Sequence, residues 1–560
     1  MPRWQLFFVL TAALCGQSAA PAPEIRVNQV GYLPGFPKHA LIASSTAGDK
    51  FTVKRKGSDR IVFSGQLGPA TQDGLSGDTL RSADFTSLTQ PGEYVIDVEN
   101  LGQSYPFVID ANAYERTYYL AMRSFYGQRC GTAVDLGEEF PGYRYEICHT
   151  RGQFHPSSGK SGERQSAYGW HDAGDYGRYV VNSGITTGTL LWTYEMFPKR
   201  VRDLKLIIPE SGNATPDILD EIRWNLEWML TMQDDDGGVW HKQTSVNFAG
   251  FVMPERDTMP SVVIGTGSAP FKNSCATGDF AAVLAIAGRL YKPFDEQFAS
   301  RSTAAAARAW TWLTQHPNVT FQNPTGVATG GYGDGNCADE RLWAAAELWR
   351  TTGEASYHDY FKQNYAGSLS QAGSPPGWPS VGGMALWTYV LGAGEQSDAG
   401  AVAAIRDTTV KAAKALAERT LSSPYRTTMV ASDYIWGSNS VAANYSLLLL
   451  VANALQPDPR YVEAAVENLH YLLGRNAFST SWVTQVGSNP FRKPHHRPSG
   501  ADRNDEPWPG MLSGGPNRNQ TQDNVLRAMP AGLPPMKYWA DDQDSYAATE
   551  MAINWNAPLV

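Results

Sequence analysis

Two short acidic segments hold the residues best suited to proton-transfer chemistry. The first, GWHDAGDYGRYV, places Asp172 and Asp175 three positions apart around Ala-Gly. Two carboxylates this close repel each other, and a structural turn ahead of a helix needs only one. The second, YWADDQDSYAATEMAINWNAPLV, holds Asp541 and Glu550 among aromatic residues. The alternatives are an Asx-type turn for the first segment and a solvated charge run for the second.

Two acidic segments far apart in one chain suit the hydrolysis of a glycosidic bond. One carboxylate must draw a proton from water, and one carboxylic acid must protonate the leaving oxygen. Glu550 lies beside the apolar stretch MAINW, where partial desolvation raises the pKa of a carboxyl group, as a general acid requires. The pattern therefore predicts a base and an acid supplied by separate loops.

The elements that must position these loops follow from hydrophobic periodicity. Residues 24–110 alternate with period two in short runs punctuated by Gly, Asp and Pro, which predicts a small β-sandwich. Beyond them, about a dozen segments show helical spacing, and several, such as NYSLLLLVANAL, are apolar nearly all round. Long loops inside a compact domain are usually functional. We expect a large helical toroid or barrel with its site in the loops at one end.

Composition and the N-terminal segment limit the class of ligand and the cellular location of the protein. The formal charge is −9 and no run of Lys and Arg is longer than three residues, which argues against a nucleic-acid binder and favours a neutral or polar substrate. Residues 1–20 have the layout of a secretory signal peptide, and no segment is long and apolar enough to span a membrane. We expect an exported monomer with no organic cofactor.

Four ordered motifs resemble those of glycoside hydrolase family 9, the cellulases with an (α/α)6 barrel, in the subgroup with an N-terminal immunoglobulin-like domain. The motifs are PEIRVNQVGYLP, WHDAGDYGRYV, YLLGRNAFSTSWVTQVGSNPFRKPHHR and WADDQDSYAATEMAINWNA. The resemblance implies a mainly α protein with an all-β immunoglobulin-like sandwich at 24–110 and an (α/α)6 barrel at 111–560. It implies cleavage of β-1,4-glucosidic bonds in cellulose-type glucans, with an endo mode preferred over an exo mode or action on oligosaccharides.

The resemblance also implies roles by position. Asp175 would be the general base, Asp172 would help to hold the attacking water, and Glu550 would be the general acid. Inversion in one displacement would place base and acid about 6.5–9.5 Å apart. His495, Arg497 and Asp541 would line the cleavage site. Thr549 departs from the pattern, since the residue before the acid is usually Asn.

Several other side chains suit contact with sugar rings. Flat rings with polar neighbours stack on sugars, although any one ring is more often part of a core. Besides Arg497, the predicted substrate contacts are His496, Trp240, His241, Tyr332, Tyr434, Trp436 and Tyr546.

Four residues near the first acidic segment suit a tetrahedral metal site: Cys130, Cys148, His149 and His171. Two thiolates and two imidazoles fit closed, structural zinc, and the alternative in an exported protein is a disulfide between the two cysteines. Some relatives with the immunoglobulin-like domain carry zinc at matching positions, so the resemblance implies zinc that braces the loop of Asp172 and Asp175.

Two Gly-bearing acidic loops are predicted calcium sites, with helix N-capping as the alternative for each residue. Their candidate ligands are Glu210, Asp217 and Asp220 in the first loop and Asp334, Asp339 and Glu340 in the second. Cys275 and Cys337 are most simply buried thiols, and a disulfide between them is left open. Two rival functions also stay open: a hydrolase in which the zinc is catalytic, and a non-catalytic glucan-binding protein.

Overall fold

The computed structural model describes residues 21–560, so the predicted signal peptide at 1–20 lies outside the described residues. The first part of the described chain is all β. Its strands are β1 (Ile25–Arg26), β2 (Gly31–Tyr32), β3 (His39–Ile42), β4 (Lys50–Arg55), β5 (Ile61–Gln66), β6 (Thr71–Gln72), β7 (Thr79–Asp84), β8 (Gly92–Val98), β9 (Gly102–Gln103) and β10 (Phe107–Ile109).

These strands form two facing sheets around their own apolar core. One sheet has the order β1-β3-β7-β6 and the other β2-β10-β8-β4-β5, with β9 paired to β8. Alternate residues face inwards, as period-two patterning requires, so Phe51, Val53 and Ile96 are buried between the sheets.

The rest of the chain is mainly helical. Its helices are α1 (Glu115–Gly127), α2 (Val180–Met196), α3 (Pro198–Val201), α4 (Asp217–Thr231), α5 (Ser274–Leu290), α6 (Glu296–Gln315), α7 (Ala338–Thr352), α8 (Ala355–Ser368), α9 (Gly382–Leu391), α10 (Ala399–Ser422), α11 (Ser438–Leu455), α12 (Pro459–Leu472), α13 (Arg497–Ala501), α14 (Asn524–Ala528), α15 (Tyr546–Thr549) and α16 (Ile553–Asn556).

The inner helices form a closed ring. Helix α2 contacts α5, α5 contacts α7, α7 contacts α9, α9 contacts α11, and α16 closes the ring between α11 and α2. Most residues of α2, α5 and α9 are buried on every side, including several small polar residues of α2. Outer helices such as α6, α8, α10 and α12 pack behind the ring. The predicted (α/α)6 barrel and the all-β sandwich before it are confirmed.

Short strands connect the barrel to the loops that surround the site. They are β11 (Val134–Asp135), β12 (Arg144–Tyr145), β13 (Arg151–Phe154), β14 (Glu163–Gln165), β15 (Arg178–Tyr179), β16 (Lys242–Thr244) and β17 (Ser261–Ile264). The last five form one sheet in the order β14-β13-β17-β16-β15. Strand β15 runs directly into α2, so this sheet holds the segment that follows Asp175.

The sandwich is attached to the barrel by buried polar contacts. The side-chain amide of Asn28 lies 2.9 Å from Nδ1 of His470, and the side-chain oxygen of Gln29 accepts from the backbone amides of Ser488 and Asn489 at 3.1 and 2.7 Å. Groups buried this deeply need their partners, because an unpaired donor or acceptor costs about 1–3 kcal/mol. The sandwich therefore packs as a fixed support of the barrel.

Cys275 and Cys337 form a disulfide, so the simpler prediction of two buried thiols is wrong. The bond joins the first turn of α5 to the residue that precedes α7. Within residues 21–560 no helix is long and apolar enough to cross a membrane.

Candidate active site

The loops at one end of the barrel carry the predicted acid and base. Successive inner helices are separated by an outer helix, so they run in the same direction and their N-terminal ends gather at one end. The residues that precede or begin these ends are Asp172 and Asp175 before α2, Tyr332 before α7, Trp378 before α9, Trp436 before α11 and Glu550 before α16. The space between these loops is called the cleft below.

Gly174 explains why the two aspartates flank Ala-Gly. A Cβ atom at this position would lie 1.9 Å from the backbone oxygen of His495, so only glycine permits the approach of the two loops. Arg497 fastens the contact, because its backbone N–H and its guanidinium both donate to the Gly174 carbonyl, at 3.1 and 2.6 Å. The Asp172–Asp175 turn and the His and Arg loop are therefore one unit.

Asp172 is buried and fully hydrogen-bonded. Its Oδ2 accepts from the hydroxyl of Tyr332 at 2.5 Å, and its Oδ1 accepts from the side-chain amide of Asn182. Burial, followed by the nearby Asp175 carboxylate, raises the pKa of Asp172 to about 7. A carboxyl held on both oxygens suits orientation rather than proton abstraction.

Asp175 has one oxygen held and one oxygen available. Its Oδ2 accepts from the Gly177 amide at 3.0 Å and from the Tyr179 hydroxyl at 3.2 Å. Within the described chain, Oδ1 accepts no hydrogen bond from the protein. This arrangement fixes the carboxylate in one orientation and leaves an oxygen that can take a proton from water.

The surroundings of Glu550 favour proton donation, in contrast to the proton abstraction that suits Asp175. Burial, together with the charges of Asp175 and Asp172, raises the pKa of Glu550 well above its ordinary value, although Arg497 opposes the shift. The backbone is fixed at the same point, since its carbonyl accepts from the Gly514 amide at 2.7 Å. A carboxyl that keeps its proton at neutral pH can donate it to a leaving group.

The His and Arg loop contains both exposed and buried side chains. Half-buried His495 points its Nδ1 at the backbone oxygen of Gln543, 2.8 Å away, and burial lowers its pKa. Arg497 also donates to the Ala249 carbonyl at 2.8 Å. Asp541 accepts from two backbone amides of this loop, those of Lys493 at 2.7 Å and Arg492 at 2.9 Å. Asp541 therefore positions the backbone of this loop, and its predicted place at the cleavage site stays a prediction.

For His496 in the same loop, the structure corrects the prediction. The ring is buried, its Nε2 lies 3.0 Å from the Gln128 side-chain oxygen, and its Nδ1 lies 2.9 Å from the Ser499 hydroxyl. With both nitrogens engaged inside the protein, His496 supports the loop and does not contact substrate as predicted.

Two of the predicted sugar-binding rings are exposed at the cleft. Trp436 and Tyr546 are 38% and 36% exposed, and their ring centroids lie 5.5 Å apart. The ring centroid of Tyr546 lies 5.8 Å from that of His495, and the centroid of His495 lies 5.2 Å from that of Phe251. Tyr332, half-buried, packs against Trp378 at 5.2 Å on another side. These rings border the carboxyl groups.

Three predicted substrate contacts are internal, and for them the prediction is wrong. Trp240 is 2% exposed and donates to the Ser158 carbonyl at 3.0 Å, while Tyr434 is 0% exposed. His241 is stacked on Phe321 at 3.7 Å, and its Nε2 lies 2.8 Å from the Gly331 carbonyl oxygen. Aromatic content cannot reveal burial, because the same rings serve cores and surfaces.

Some cleft residues were missed from the sequence. Tyr179 lies inside the first acidic segment, four residues after Asp175, and its spacing could have identified it. Trp378, Phe248 and Phe251 lie in loops with no acidic motif. Arg497 lies over the faces of both phenylalanines at 5.5 and 5.9 Å, a contact that only the tertiary structure reveals.

The four predicted zinc ligands converge beside the Asp172 turn. The ligand atoms of Cys130, Cys148, His149 and His171 lie within 4.8 Å of one another, and the two cysteines are not bonded to each other. Within the described chain, Nδ1 of His149 is buried with no hydrogen-bond partner, and Nε2 of His171 lies 3.7 Å from Sγ of Cys148. Two thiols and these two imidazole nitrogens form a donor set that fits a tetrahedral metal ion.

The two acidic loops proposed for calcium differ in the structure. In the first, Arg129 forms ion pairs with Glu210 and Glu221, at 2.9 and 3.0 Å. Asp217 accepts from the Leu206 amide at 2.8 Å and from the Ser211 hydroxyl. Arg129 supplies the positive charge that a cation would, so this loop is better described as an ion-pair network. Burial raises the pKa of its remaining acid, Asp220, to about 7.

In the second loop, carboxyl groups lack partners. Both side-chain oxygens of Glu340 and of Asp279, a residue of α5 that the sequence reasoning missed, are buried without hydrogen bonds, as is one oxygen of Asp334. Asp339 instead accepts from the Val381 and Gly382 amides at 2.9 and 3.3 Å. Burial and mutual repulsion raise the pKa of Asp279 and of Glu340 well above the ordinary range. These four residues are called the acidic cluster below.

Comparison with known proteins agrees with this geometry. The family model for glycosyl hydrolase family 9 matches residues 114–560, and the model for the cellulase N-terminal ig-like domain matches residues 20–103. The chain is 36% identical over 540 residues to endoglucanase D of Acetivibrio thermocellus, covering 96% of this chain and 82% of that protein.

Two further similarities extend over nearly the whole chain. A xyloglucan-specific endo-beta-1,4-glucanase of Bacteroides ovatus is 34% identical over 583 residues, which cover 99% of this chain and 96% of that protein. A solved structure of a zinc-binding triple mutant of the family 9 endoglucanase J30 superposes with a TM-score of 0.87 at 34% identity, covering 94% of this chain and 98% of that one.

The fold and the carboxyl groups at one end of the barrel define a glycoside hydrolase. More narrowly, the chain belongs to glycosyl hydrolase family 9 and carries the N-terminal immunoglobulin-like domain of its cellulases.

Proposed function

We propose that this protein is an inverting endo-β-1,4-glucanase with Asp175 as general base and Glu550 as general acid. The observation that carries the proposal is that the surroundings of the two carboxyl groups suit opposite roles, one accepting a proton and the other donating one. Asp175 is held on Oδ2 alone, whereas burial and two neighbouring carboxylates favour the protonated form of Glu550. An acid and a base in one cleft also argue against a protein that only binds glucan.

The reaction follows from these roles. Oδ1 of Asp175 takes a proton from water as the water oxygen attacks the anomeric carbon. Glu550 gives its proton to the glycosidic oxygen as the bond to that carbon breaks. Asp172, held by Tyr332 and Asn182, orients the water from the second side. One displacement inverts the anomeric centre and leaves Asp175 protonated and Glu550 ionised, so a proton exchange with solvent restores the enzyme.

The substrate class is inferred from the rings and from the relatives. Exposed Trp436 and Tyr546 offer flat faces beside the carboxyl groups, as sugar stacking requires. The similar proteins are named endoglucanases, one of them specific for xyloglucan. β-1,4-Glucan is the proposed backbone, and its cleavage is proposed to occur within the chain.

The test is proton NMR of a cello-oligosaccharide digest in its first minutes, before mutarotation mixes the anomers. Newly formed α-anomer is expected. Newly formed β-anomer would require a covalent nucleophile and would overturn the proposed roles. The fall in viscosity of a soluble β-glucan tests the mode, since an endo enzyme lowers viscosity at few cleavages and an exo enzyme does not.

A structural zinc ion is proposed at Cys130, Cys148, His149 and His171. The unpartnered Nδ1 of His149, the approach of His171 Nε2 to Cys148 and the two unbonded cysteines support it. With four protein ligands the ion would have no position for substrate water, so it would brace the turn of Asp172 and Asp175 rather than take part in hydrolysis. The catalytic-zinc alternative would need such an open position.

A calcium ion is proposed at the acidic cluster. Calcium prefers carboxylate oxygens, and the unpartnered oxygens of Glu340, Asp279 and Asp334 are such donors. The ion would offset the repulsion among these groups and hold the loop that also carries Tyr332. Export after cleavage of residues 1–20 completes the proposal, supported by the layout of that segment.

A further inference from the structure

Lys242 is a fully buried lysine whose charge has no role in the mechanism described so far. Its ammonium donates to the Asn323 side-chain oxygen at 2.7 Å, to the Gly330 carbonyl at 2.7 Å and to both oxygens of Thr329 at 3.2 and 3.3 Å. All these acceptors are neutral. Burying an ammonium without an ion pair is costly, and burial lowers the pKa of Lys242 to about 7. Such a placement needs a reason.

The first connection runs from Lys242 to the proposed base. Lys242 on β16 is directly opposite Tyr179 on β15 in the antiparallel ladder. Its Nζ lies 5.5 Å from the centroid of the Tyr179 ring, and the Tyr179 hydroxyl donates to Asp175 at 3.2 Å. A cation over a phenol ring draws electron density from it and makes its hydroxyl a better donor. The same positive charge stabilises the Asp175 carboxylate through space.

The second connection runs from Lys242 to Asp172. The carbonyls of Thr329 and Gly330, which accept hydrogen bonds from Lys242, lie three and two residues before Tyr332. The Tyr332 hydroxyl donates to Asp172 at 2.5 Å, from a residue whose φ of 44° is in the left-handed region. A non-glycine residue adopts this conformation only where its surroundings hold it. The hydrogen bonds from Lys242 to Thr329 and Gly330 help to fix this conformation of Tyr332.

We infer that Lys242 is a positioning residue that holds the tyrosines bonded to both aspartates and that places a positive charge near the Asp175 carboxylate. The inference rests on the proposed function. The other charged or titratable groups around Asp175 and Lys242 are Asp172, Glu550, His495, Arg497 and His241. Among them, burial lowers the pKa of both histidines.

The experiment compares Lys242→Met with the wild-type enzyme on a cello-oligosaccharide, measuring kcat, KM and the pH profile of kcat/KM. We expect kcat to fall about 10- to 100-fold with KM changed little, because the tyrosines lose their anchor. We also expect the acid limb, the low-pH side of the kcat/KM profile, to move to higher pH by about one unit. A carboxylate that loses a nearby cation is protonated more easily.

Lys38 provides a matched control. It is also fully buried, and its ammonium donates only to the Pro34 and Phe36 carbonyls, both at 2.8 Å, inside the sandwich. Lys38→Met should lower the melting temperature without moving the acid limb. If Lys242→Met does not fold, Lys242→Gln, which keeps a donor for the carbonyls, takes its place in the same measurement.

A double variant separates charge transmission from loss of packing. If Lys242 acts through Tyr179, the acid limb of Lys242→Met with Tyr179→Phe should lie close to that of the more affected single variant, not at the sum of both shifts. An active wild type with an unmoved acid limb in the Lys242 variants would overturn this inference alone. A wild type that releases no sugar from any β-glycan would overturn the proposed function, and the inference with it.

Discussion

The cleft and the acidic cluster both bury several carboxyl groups in one barrel, but their surroundings differ. In the cleft, Asp172 and Asp175 receive hydrogen bonds from tyrosine, asparagine and backbone donors. In the acidic cluster, Glu340 and Asp279 receive none. Burial, together with repulsion between neighbouring carboxylates, raises the pKa of Asp172 in the cleft and of Glu340 in the acidic cluster. The hydrogen-bond donors hold the acids of the cleft in fixed orientations, whereas Glu340 and Asp279 have no such donors within the described chain.

The loop from 329 to 340 connects the two regions. Tyr332 in this loop reaches the cleft, while Asp334 and, where the chain enters α7, Asp339 and Glu340 belong to the acidic cluster. The Cys275–Cys337 disulfide fastens this loop to α5, which carries Asp279. Metal binding at the acidic cluster should therefore affect the cleft indirectly, through the position of Tyr332.

Removing the proton-transfer groups of the cleft should have the largest effect and tests most strongly how the cleft differs from the acidic cluster. Asp175→Asn and Glu550→Gln should each lower kcat by about 10²–10⁴-fold, because each amide keeps the shape and loses the acid or base function. Binding of a cello-oligosaccharide, measured by calorimetry, should persist. Asp544→Asn is the control, since Asp544 is an exposed acid of the same segment. A near-wild-type rate in either variant would show that the roles are misassigned.

The pH profile tests whether Glu550 keeps its proton. Because its pKa is raised well above the ordinary value, Glu550 should stay protonated, and kcat/KM should stay high, far above pH 4.5. On the basic side the rate should then fall about tenfold per pH unit as Glu550 ionises. A basic limb near pH 4.5 would mean that burial does not prepare this residue as an acid.

The Cys and His group should behave as a support, unlike the cleft. Cys130→Ser should lose about one equivalent of zinc by elemental analysis and lower the melting temperature by about 4–8 °C, from the linkage between binding and stability. The rate of the remaining folded enzyme should change little. A variant that keeps its zinc would contradict the ligand assignment. Without reductant, Cys130 and Cys148 should be alkylated after unfolding, whereas Cys275 and Cys337 should not.

The smallest effect is expected at the acidic cluster. Added calcium should raise the melting temperature of metal-free protein by about 3–5 °C, and Glu340→Gln should abolish that response. Glu354→Gln, at an exposed acid close by in sequence, should respond like the wild type. An unchanged melting temperature with calcium would mean that the carboxyl groups of the acidic cluster are protonated and bind no cation. The acidic cluster would then differ from the cleft in the protonation of its acids and not in binding a metal.

Much of the fold was predictable because hydrophobic periodicity is a local property. Period-two runs before residue 110 and apolar helices such as α11 follow directly from the order of side chains. The motifs around Asp175 and Glu550 were also readable, since each lies within a few residues. The sequence could not separate the two predicted calcium loops, because the decisive partners, Arg129 for one and Asp279 for the other, lie far along the chain.

The sequence by itself determined the type of each domain, the two carboxyl-bearing loops and the donor set of the Cys and His group. Tertiary structure decided which rings are exposed, so that Trp436 faces the cleft and Trp240 does not. It decided the Cys275–Cys337 bond, across 62 positions, and the pairing of Lys242 with Tyr179 across two strands. The physical reason is that exposure, pairing and charge proximity depend on distances in space, which spacing along a chain does not contain.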